Sequence, residues 1–216
     1  TEGSEVYEKI VHLKLKAPDG KLRESDCADT ETIFRIIQSI PSPNAEPFKL
    51  WLARVGYERV EESEDPEKAI QRAMATYLKK GYSREWVDLR LKSIEIRKDL
   101  TNEWYERGII SSKEYAILTD IIHREWSDLS VKQHKSLKQL KTENLRDHMS
   151  EAELIFTALA ELSTKQIAEN IKSEGFEENK IPAVKGGRIA KNARLELEQK
   201  SGQKVITGDN FNIKRI

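Results

Sequence analysis

The chain has 216 residues, which is long enough for one or two domains with a hydrophobic core. Its 37 basic and 37 acidic side chains cancel, so nucleic acid or an acidic membrane could be attracted only by a local patch. Cys27 is the only cysteine, which excludes an internal disulfide and a cysteine-based metal cluster. The most apolar run, residues 154–160, is far shorter than the ~20 residues of a membrane helix, and no signal peptide is visible. We therefore expect a cytoplasmic protein with no membrane partner.

The first predicted element is a small β-hairpin. Residues 11–17 alternate apolar and polar side chains, and residues 18–20 (Pro-Asp-Gly) are typical of a turn. The cations of this hairpin are candidate nucleic-acid contacts that would share one face, unless they are simply the solvated side of a half-buried sheet. They are Lys14, Lys16, Lys21 and Arg23.

Helical patterns dominate from Asp29 onwards, so we expect a mainly α protein. Asp29 is a predicted N-cap, and Pro41 follows the end of that helix. Pro47 suits the first turn of the next helix, which places an apolar stripe on one side of it. The stripe consists of Phe48, Trp51, Leu52 and Val55. We interpret residues 39–62 as a rigid corner rather than a binding element.

The predicted helix over residues 83–107 is apolar on two sides. Val87, Leu91 and Ile94 form one stripe. The other stripe consists of Trp86, Leu89, Ile96, Leu100 and Trp104. A helix of this kind is normally covered on both sides, so it either lies centrally in the fold or contacts a second copy of the chain in a homo-oligomer.

The remaining elements are also mostly helical. Ser130, Ser150 and Ser163 each begin a capping-box pattern and predict three helix starts. Residues 163–175 also resemble the first half of a helix-turn-helix, although a short helix ending at Gly175 is the favoured interpretation. Residues 175–187 are predicted as a loop and residues 187–202 as a helix, with a short strand at 204–207 after it.

No catalytic arrangement is visible in the sequence. The four histidines are scattered, and the sequence contains no nucleophile elbow, no P-loop and no dinucleotide-binding glycine motif. We therefore expect no enzymatic activity, no metal and no cofactor.

Residues 180–194 contain five cations and no acid. Arg188, Lys191 and Arg194 lie on one side of the predicted helix, and Ile189, Ala193 and Leu197 lie on the other. Cations arranged in this way could contact successive phosphates of a nucleic-acid backbone. An amphipathic helix with a basic solvated face has the same pattern. The Gly186-Gly187 pair either lets a phosphate approach the backbone or simply bends a loop. The candidate contacts in this region are Lys185, Arg188, Lys191 and Arg194.

Several segments together resemble a known family. The stretch PSPNAEPFKLWLARVGYERVEE, with the residues from Leu13 leading up to it, resembles the latter part of the Bro-N domain of phage antirepressors and BRO proteins. The later segments resemble the extension of a bacterial group described as BRO-family, phage antirepressor or DNA-damage-inducible protein D-like. They are KGYSREWVDLRLKSIEIRKDLTNEWYERG, EYAILTDII, LKTENLRDHMSEAELI and KGGRIAKNARLELEQKSGQKVI.

The resemblance implies a role in prophage or mobile-element regulation, with DNA binding assigned to the Bro-N part and no enzymatic activity. Similar proteins have a further stretch before Bro-N residues like these, so Thr1 would fall midway through that domain. We expect the latter part of an α+β Bro-N domain over residues 1–62, a helical domain over 63–175, and a basic helix with a polar tail over 176–216.

Two functions are compatible with these expectations. In the first, the chain is a DNA-associated regulator of the phage-antirepressor type that contacts double-stranded DNA. In the second, it is a protein-interaction module that binds and inactivates a repressor or a DNA-repair protein without contacting DNA.

Overall fold

The computed structural model describes residues 8–211 and shows a mainly α protein with an N-terminal β-hairpin. The described residues divide into two compact units, 8–72 and 73–211. The strands and α-helices of this part of the chain are β1 (Val11–Lys16), β2 (Leu22–Cys27), α1 (Thr30–Ser39), α2 (Glu46–Glu64), α3 (Pro66–Lys79), α4 (Arg84–Glu106), α5 (Ser112–Ser127), α6 (Val131–Leu137), α7 (Glu151–Ile171) and α8 (Gly175–Ser201).

Local capping signals place most helix starts correctly. The Asp29 side chain accepts a hydrogen bond from the backbone N–H of Thr32 at 2.8 Å, and Ser83 caps α4 in the same way. Ser130 and Ser150 both complete the reciprocal capping box at the starts of α6 and α7. The third predicted box is wrong, because Ser163 lies inside α7 and starts no helix.

The first unit contains the predicted corner. A 3-10 turn over Pro43–Ala45 leads into α2, which begins at Glu46 with a proline in its first turn. The rings of Phe34 and Phe48 lie 5.4 Å apart and those of Phe48 and Trp51 5.3 Å apart. Trp51 nevertheless remains 47% exposed, so the predicted apolar stripe is only partly buried.

A buried carboxylate fixes the end of α2 to α3. Glu62 is nearly buried and accepts hydrogen bonds from Arg59 and from Arg72, which lies one helix further along. The Arg72 guanidinium lowers the pKa of Glu62 to about 2, with a smaller contribution from Arg59, and outweighs the opposing effect of burial.

Both apolar stripes predicted for residues 83–107 meet the core of the second unit. Trp86 and Val87 come from different stripes, and both are fully buried, as is Trp104. Ile94 is the exception, at 41% exposed. Because the unit itself covers both sides of the helix, the predicted homo-oligomeric contact through it loses its physical basis.

The loop predicted for residues 175–187 is wrong, because α8 runs continuously from Gly175 to Ser201. Pro182 and the two glycines at 186 and 187 disfavour a helix interior. All three are buried against the rest of the second unit, and α8 packs along α5 and α7. Tertiary packing therefore outweighs the local preference.

The short strand predicted for residues 204–207 is also wrong, because that segment forms bends. Gly202, with φ of 70°, ends α8, and the chain then turns back over the unit. Val205 is 8% exposed, and the ring of Phe211 stacks at 5.9 Å from that of Trp86. We call residues 203–211 the C-terminal strap.

We expect Gly186→Ala to destabilise the second unit by about 1–3 kcal/mol, because α7 leaves no room for a side chain there. A Cβ would meet Thr164 Oγ1 and would come within 2.5 Å of the Thr164 backbone N and 2.8 Å of the Ala160 carbonyl oxygen. The two backbone atoms cannot rotate away. Denaturant titration measures the change in the free energy of unfolding.

Gly56 provides the matched control. It also lies inside a helix, α2, but nothing lies within 4 Å of a Cβ built on it. Gly56→Ala should raise stability by about 0.5–1 kcal/mol, because alanine is the better helix former. A Gly186→Ala variant as stable as the wild type would contradict the close contact.

Candidate functional site

The register of the hairpin divides its candidate cations between two faces. Lys14 lies opposite Glu24, and Lys16 lies opposite Leu22. Arg23 lies opposite Leu15 and therefore points to the other face, so the prediction that the four cations share one face is wrong. Side chains alternate along a strand, and the sequence did not show which residues of the two strands are paired.

The hairpin cations also differ in their partners. Arg23 donates a hydrogen bond to Asp19 at 2.7 Å. Lys14, Lys16 and Lys21 are exposed, and within residues 8–211 none of them makes an ion pair. These three lysines remain available to an anionic partner.

Three of the four candidate cations of α8 form ion pairs, although Arg188 itself remains exposed. Arg188 pairs with Glu125 at 3.2 Å, and Lys191 pairs with Asp128, which ends α5 in a left-handed conformation. Partial burial raises the pKa of Asp128, but Lys191 and Arg194 outweigh it and hold the pKa below its ordinary value.

Arg194 is the most enclosed of these cations, at 6% exposed. It donates to the carbonyl oxygen of Trp126 at 3.0 Å, to Asp128 at 2.6 Å and to Glu198 at 3.1 Å. The three cations on this side of α8 thus pair with three carboxylates; Arg194 is buried, whereas Arg188 remains exposed. Lys185 is the fourth candidate; it is exposed, and no described residue forms an ion pair with it.

The opposite side of α8 carries apolar side chains that contact solvent. Ile189 is 46% exposed and Leu197 is 45% exposed, and Ala193 between them is exposed as well. Gly186 and Gly187 lie on the packed side, where a Cβ on Gly187 would meet the side chain of Glu125. The glycine pair therefore permits close helix packing and is not a phosphate-binding loop.

A chain of buried titratable groups crosses the second unit, and the sequence reasoning missed it. Glu153 accepts from His134 Nε2 at 3.0 Å and pairs with Lys138 Nζ at 2.9 Å. His134 Nδ1 lies 3.1 Å from His123 Nε2. Since Glu153 accepts from His134 Nε2–H, we infer that His134 Nδ1 accepts from His123 Nε2–H. His134, Lys138 and Glu153 have no exposed side-chain surface.

This buried chain fastens the C-terminal strap. Lys138 Nζ donates to the carbonyl oxygens of Thr207 at 3.3 Å and Asp209 at 2.8 Å. Its ammonium is therefore fully paired inside the protein. Two features of the sequence could have indicated this buried chain. His134 and Lys138 lie one helical turn apart, and Glu153, the acid of the capping box that begins at Ser150, supplies the carboxylate.

The surroundings shift the pKa values of His123 and Glu153. Burial lowers the pKa of His123 to about 3, with smaller effects from His134 and Arg146. Burial alone would raise the pKa of Glu153, but hydrogen bonds from His134 and Lys138 hold it below its ordinary value. Because these groups are enclosed, a substrate does not reach them, and their role is to stabilise the fold.

Comparison with models of protein families gives no match, and no curated protein matches the sequence either. The resemblance to Bro-N proteins therefore stays a prediction. Within residues 8–211, no group of three or more potential ligands is placed to hold a metal ion, and no helix has the length and apolarity needed to cross a membrane.

We expect the protein to lose stability in mild acid because of His123. Its pKa in the folded state, about 3, lies below the ordinary 6.5, so the unfolded chain binds the proton more tightly. Stability is therefore full above pH 6.5 and falls towards pH 3, by up to about 1.4 kcal/mol per pH unit. Denaturant titrations between pH 4.5 and 7 measure this slope.

His123→Gln keeps a donor for His134 and removes the titrating group, so its stability should change less over the same range. His12→Gln, an exposed position on β1, is the control and should behave as the wild type. Protonation of Glu153 changes the stability only at lower pH, because the pKa of Glu153 is below the ordinary 4.5. If the stability of His123→Gln and that of the wild type fell equally with pH, His123 would be excluded as the cause of the acid destabilisation.

Proposed function

We propose that this protein is a non-enzymatic, cytoplasmic regulator of the phage-antirepressor type that binds and inactivates a repressor or a DNA-repair protein. The observation that carries the proposal is the orientation of α8. Three of its cations pair with acids in α5 or at its end, while Ile189 and Leu197 are nearly half exposed. An apolar helix face of this kind supports protein binding better than phosphate binding.

The neighbouring helix supports the same proposal. α7 packs along α8 and also carries large apolar side chains in contact with solvent, Ile155 at 48% and Leu162 at 39% exposed. The zero net charge of the chain is also compatible with a protein partner, because the chain has no overall electrostatic field that would repel such a partner.

The test is capture of host proteins on the immobilised chain from nuclease-treated lysate, with identification by mass spectrometry. We expect a repressor or repair protein to be retained without nucleic acid and to be lost with Ile189→Glu, which places a charge in the apolar face. Ile110→Glu is the control, because Ile110 is 78% exposed and lies outside α7 and α8. Capture that depends on nucleic acid, or that survives Ile189→Glu, would contradict the proposal.

A second candidate function is DNA association through the hairpin. It is favoured by the three exposed lysines of the hairpin that have no ion pair within the described residues. Lys14 and Lys16 lie on one face of β1, two residues apart, and Lys21 directly precedes β2. Phosphate contacts from such lysines would add affinity without reading sequence.

For this second function we expect duplex-DNA affinity that falls steeply with salt. Lys14→Ala combined with Lys16→Ala should reduce the slope of log affinity against log salt by about two, roughly one per phosphate contact. Arg188→Ala should leave the slope unchanged, because Arg188 already pairs with Glu125. Fluorescence anisotropy with labelled DNA measures the slope, and absence of binding at about 50 mM salt would exclude this function.

A further inference from the structure

An open cavity of about 570 Å³ lies between α4, α5 and α6 of the second unit. Its size falls within the range of small-molecule sites in proteins. Three cations from two different helices line it, and part of the remaining wall is apolar. The cations are Arg97, Lys132 and Lys135, and the apolar part includes Tyr115, Ala116 and Val131.

Arg97 is held in place before any ligand arrives. Its guanidinium donates to Glu161 at 3.2 Å and to the Thr119 hydroxyl, and it lies 5.3 Å from the centre of the Trp104 ring. About a quarter of the side chain remains exposed. A guanidinium fixed in this way presents its remaining N–H groups without losing further conformational entropy.

The positive charge of Arg97 is only partly compensated. Glu161 Oε1 accepts from both Arg97 and Arg146, whereas Glu161 Oε2 is buried and has no hydrogen-bond partner among the described residues. One carboxylate therefore serves two guanidinium groups. Burial lowers the pKa of Arg97, and Arg146 lowers it further, while Glu161 opposes both effects.

The other two cations, unlike Arg97, have no paired carboxylate among the described residues. Lys132 and Lys135 lie one turn apart on α6, and neither forms an ion pair within residues 8–211. Asp120 is the one carboxylate of the lining, and both of its oxygens are occupied, by Arg124 at 2.6 Å and by the backbone N–H of Val131 at 2.9 Å. The cavity therefore has an excess of positive charge.

We propose that this cavity binds a phosphate group, either free or carried by a small organic molecule of about the size of a mononucleotide. Arg97, Lys132 and Lys135 contact the phosphate, and the apolar wall formed by Tyr115 and Val131 accommodates an organic part. Charge-assisted hydrogen bonds from arginine and lysine are the usual means of phosphate recognition in proteins. The site is independent of the α8 surface and of the hairpin lysines, and it would make the regulator responsive to a small ligand.

Isothermal titration calorimetry on the full chain tests this site, with adenosine monophosphate and inorganic phosphate as separate probes at low salt. We expect binding by the wild type and a loss of at least about tenfold in affinity when Lys132→Ala and Lys135→Ala are combined, because two charged contacts disappear. Lys141→Ala combined with Lys204→Ala removes two exposed lysines elsewhere and should bind as the wild type. Thermal melting checks that all variants are folded.

The two probes distinguish the source of the phosphate. Tighter binding of adenosine monophosphate supports an organic phosphate, whereas equal binding supports free phosphate, provided that the loss in the Lys132→Ala, Lys135→Ala variant accompanies it. The proposal is overturned if neither probe binds at millimolar concentration, or if that variant binds as well as the wild type. It is also overturned if duplex DNA binds through Lys132 and Lys135 while neither small probe does.

Discussion

The close approach of α8 to α5 and α7 determines most of what the second unit presents to solvent. Gly186 and Gly187 leave no space for a side chain, so only one rotation of α8 about its axis brings both against their neighbours. That rotation carries Arg188 and Arg194 to the acids of α5 and turns Ile189 outwards. Helix packing therefore pairs these two arginines with acids and leaves Ile189 in contact with solvent.

The ion pair of Lys138 and Glu153 is the second constraint of this unit. Removing either partner would leave a buried unpaired charge, which costs far more than the intact pair contributes. His134 binds the same carboxylate, and Lys138 binds the carbonyl oxygens of Thr207 and Asp209. The buried polar groups therefore connect α5, α6 and α7 with the C-terminal strap. The strap in turn places the ring of Phe211 on that of Trp86 in α4.

Many cations of this protein pair with carboxylates of their own unit. Arg188, Arg194 and Arg72 are examples. Among the cations that are unpaired or only partly compensated, two groups lie close together, the hairpin lysines and the wall of the cavity beside Arg97. Both are small and local, so they suit anionic partners of limited size or contacts that position a longer one. Protein binding by the apolar face of α8 and phosphate binding by the cavity are therefore compatible in one molecule.

The sequence by itself determined the fold class and most helix starts, because a cap such as Asp29 or Ser150 acts on backbone groups within three residues. It also indicated the hairpin, since alternation and a turn are local. Which strand residues face each other, and so where Arg23 points, depended on register. Tertiary structure alone decided the continuity of α8 through Pro182 and the direction of its cations, because those depend on helices distant in sequence whose packing outweighs local preference.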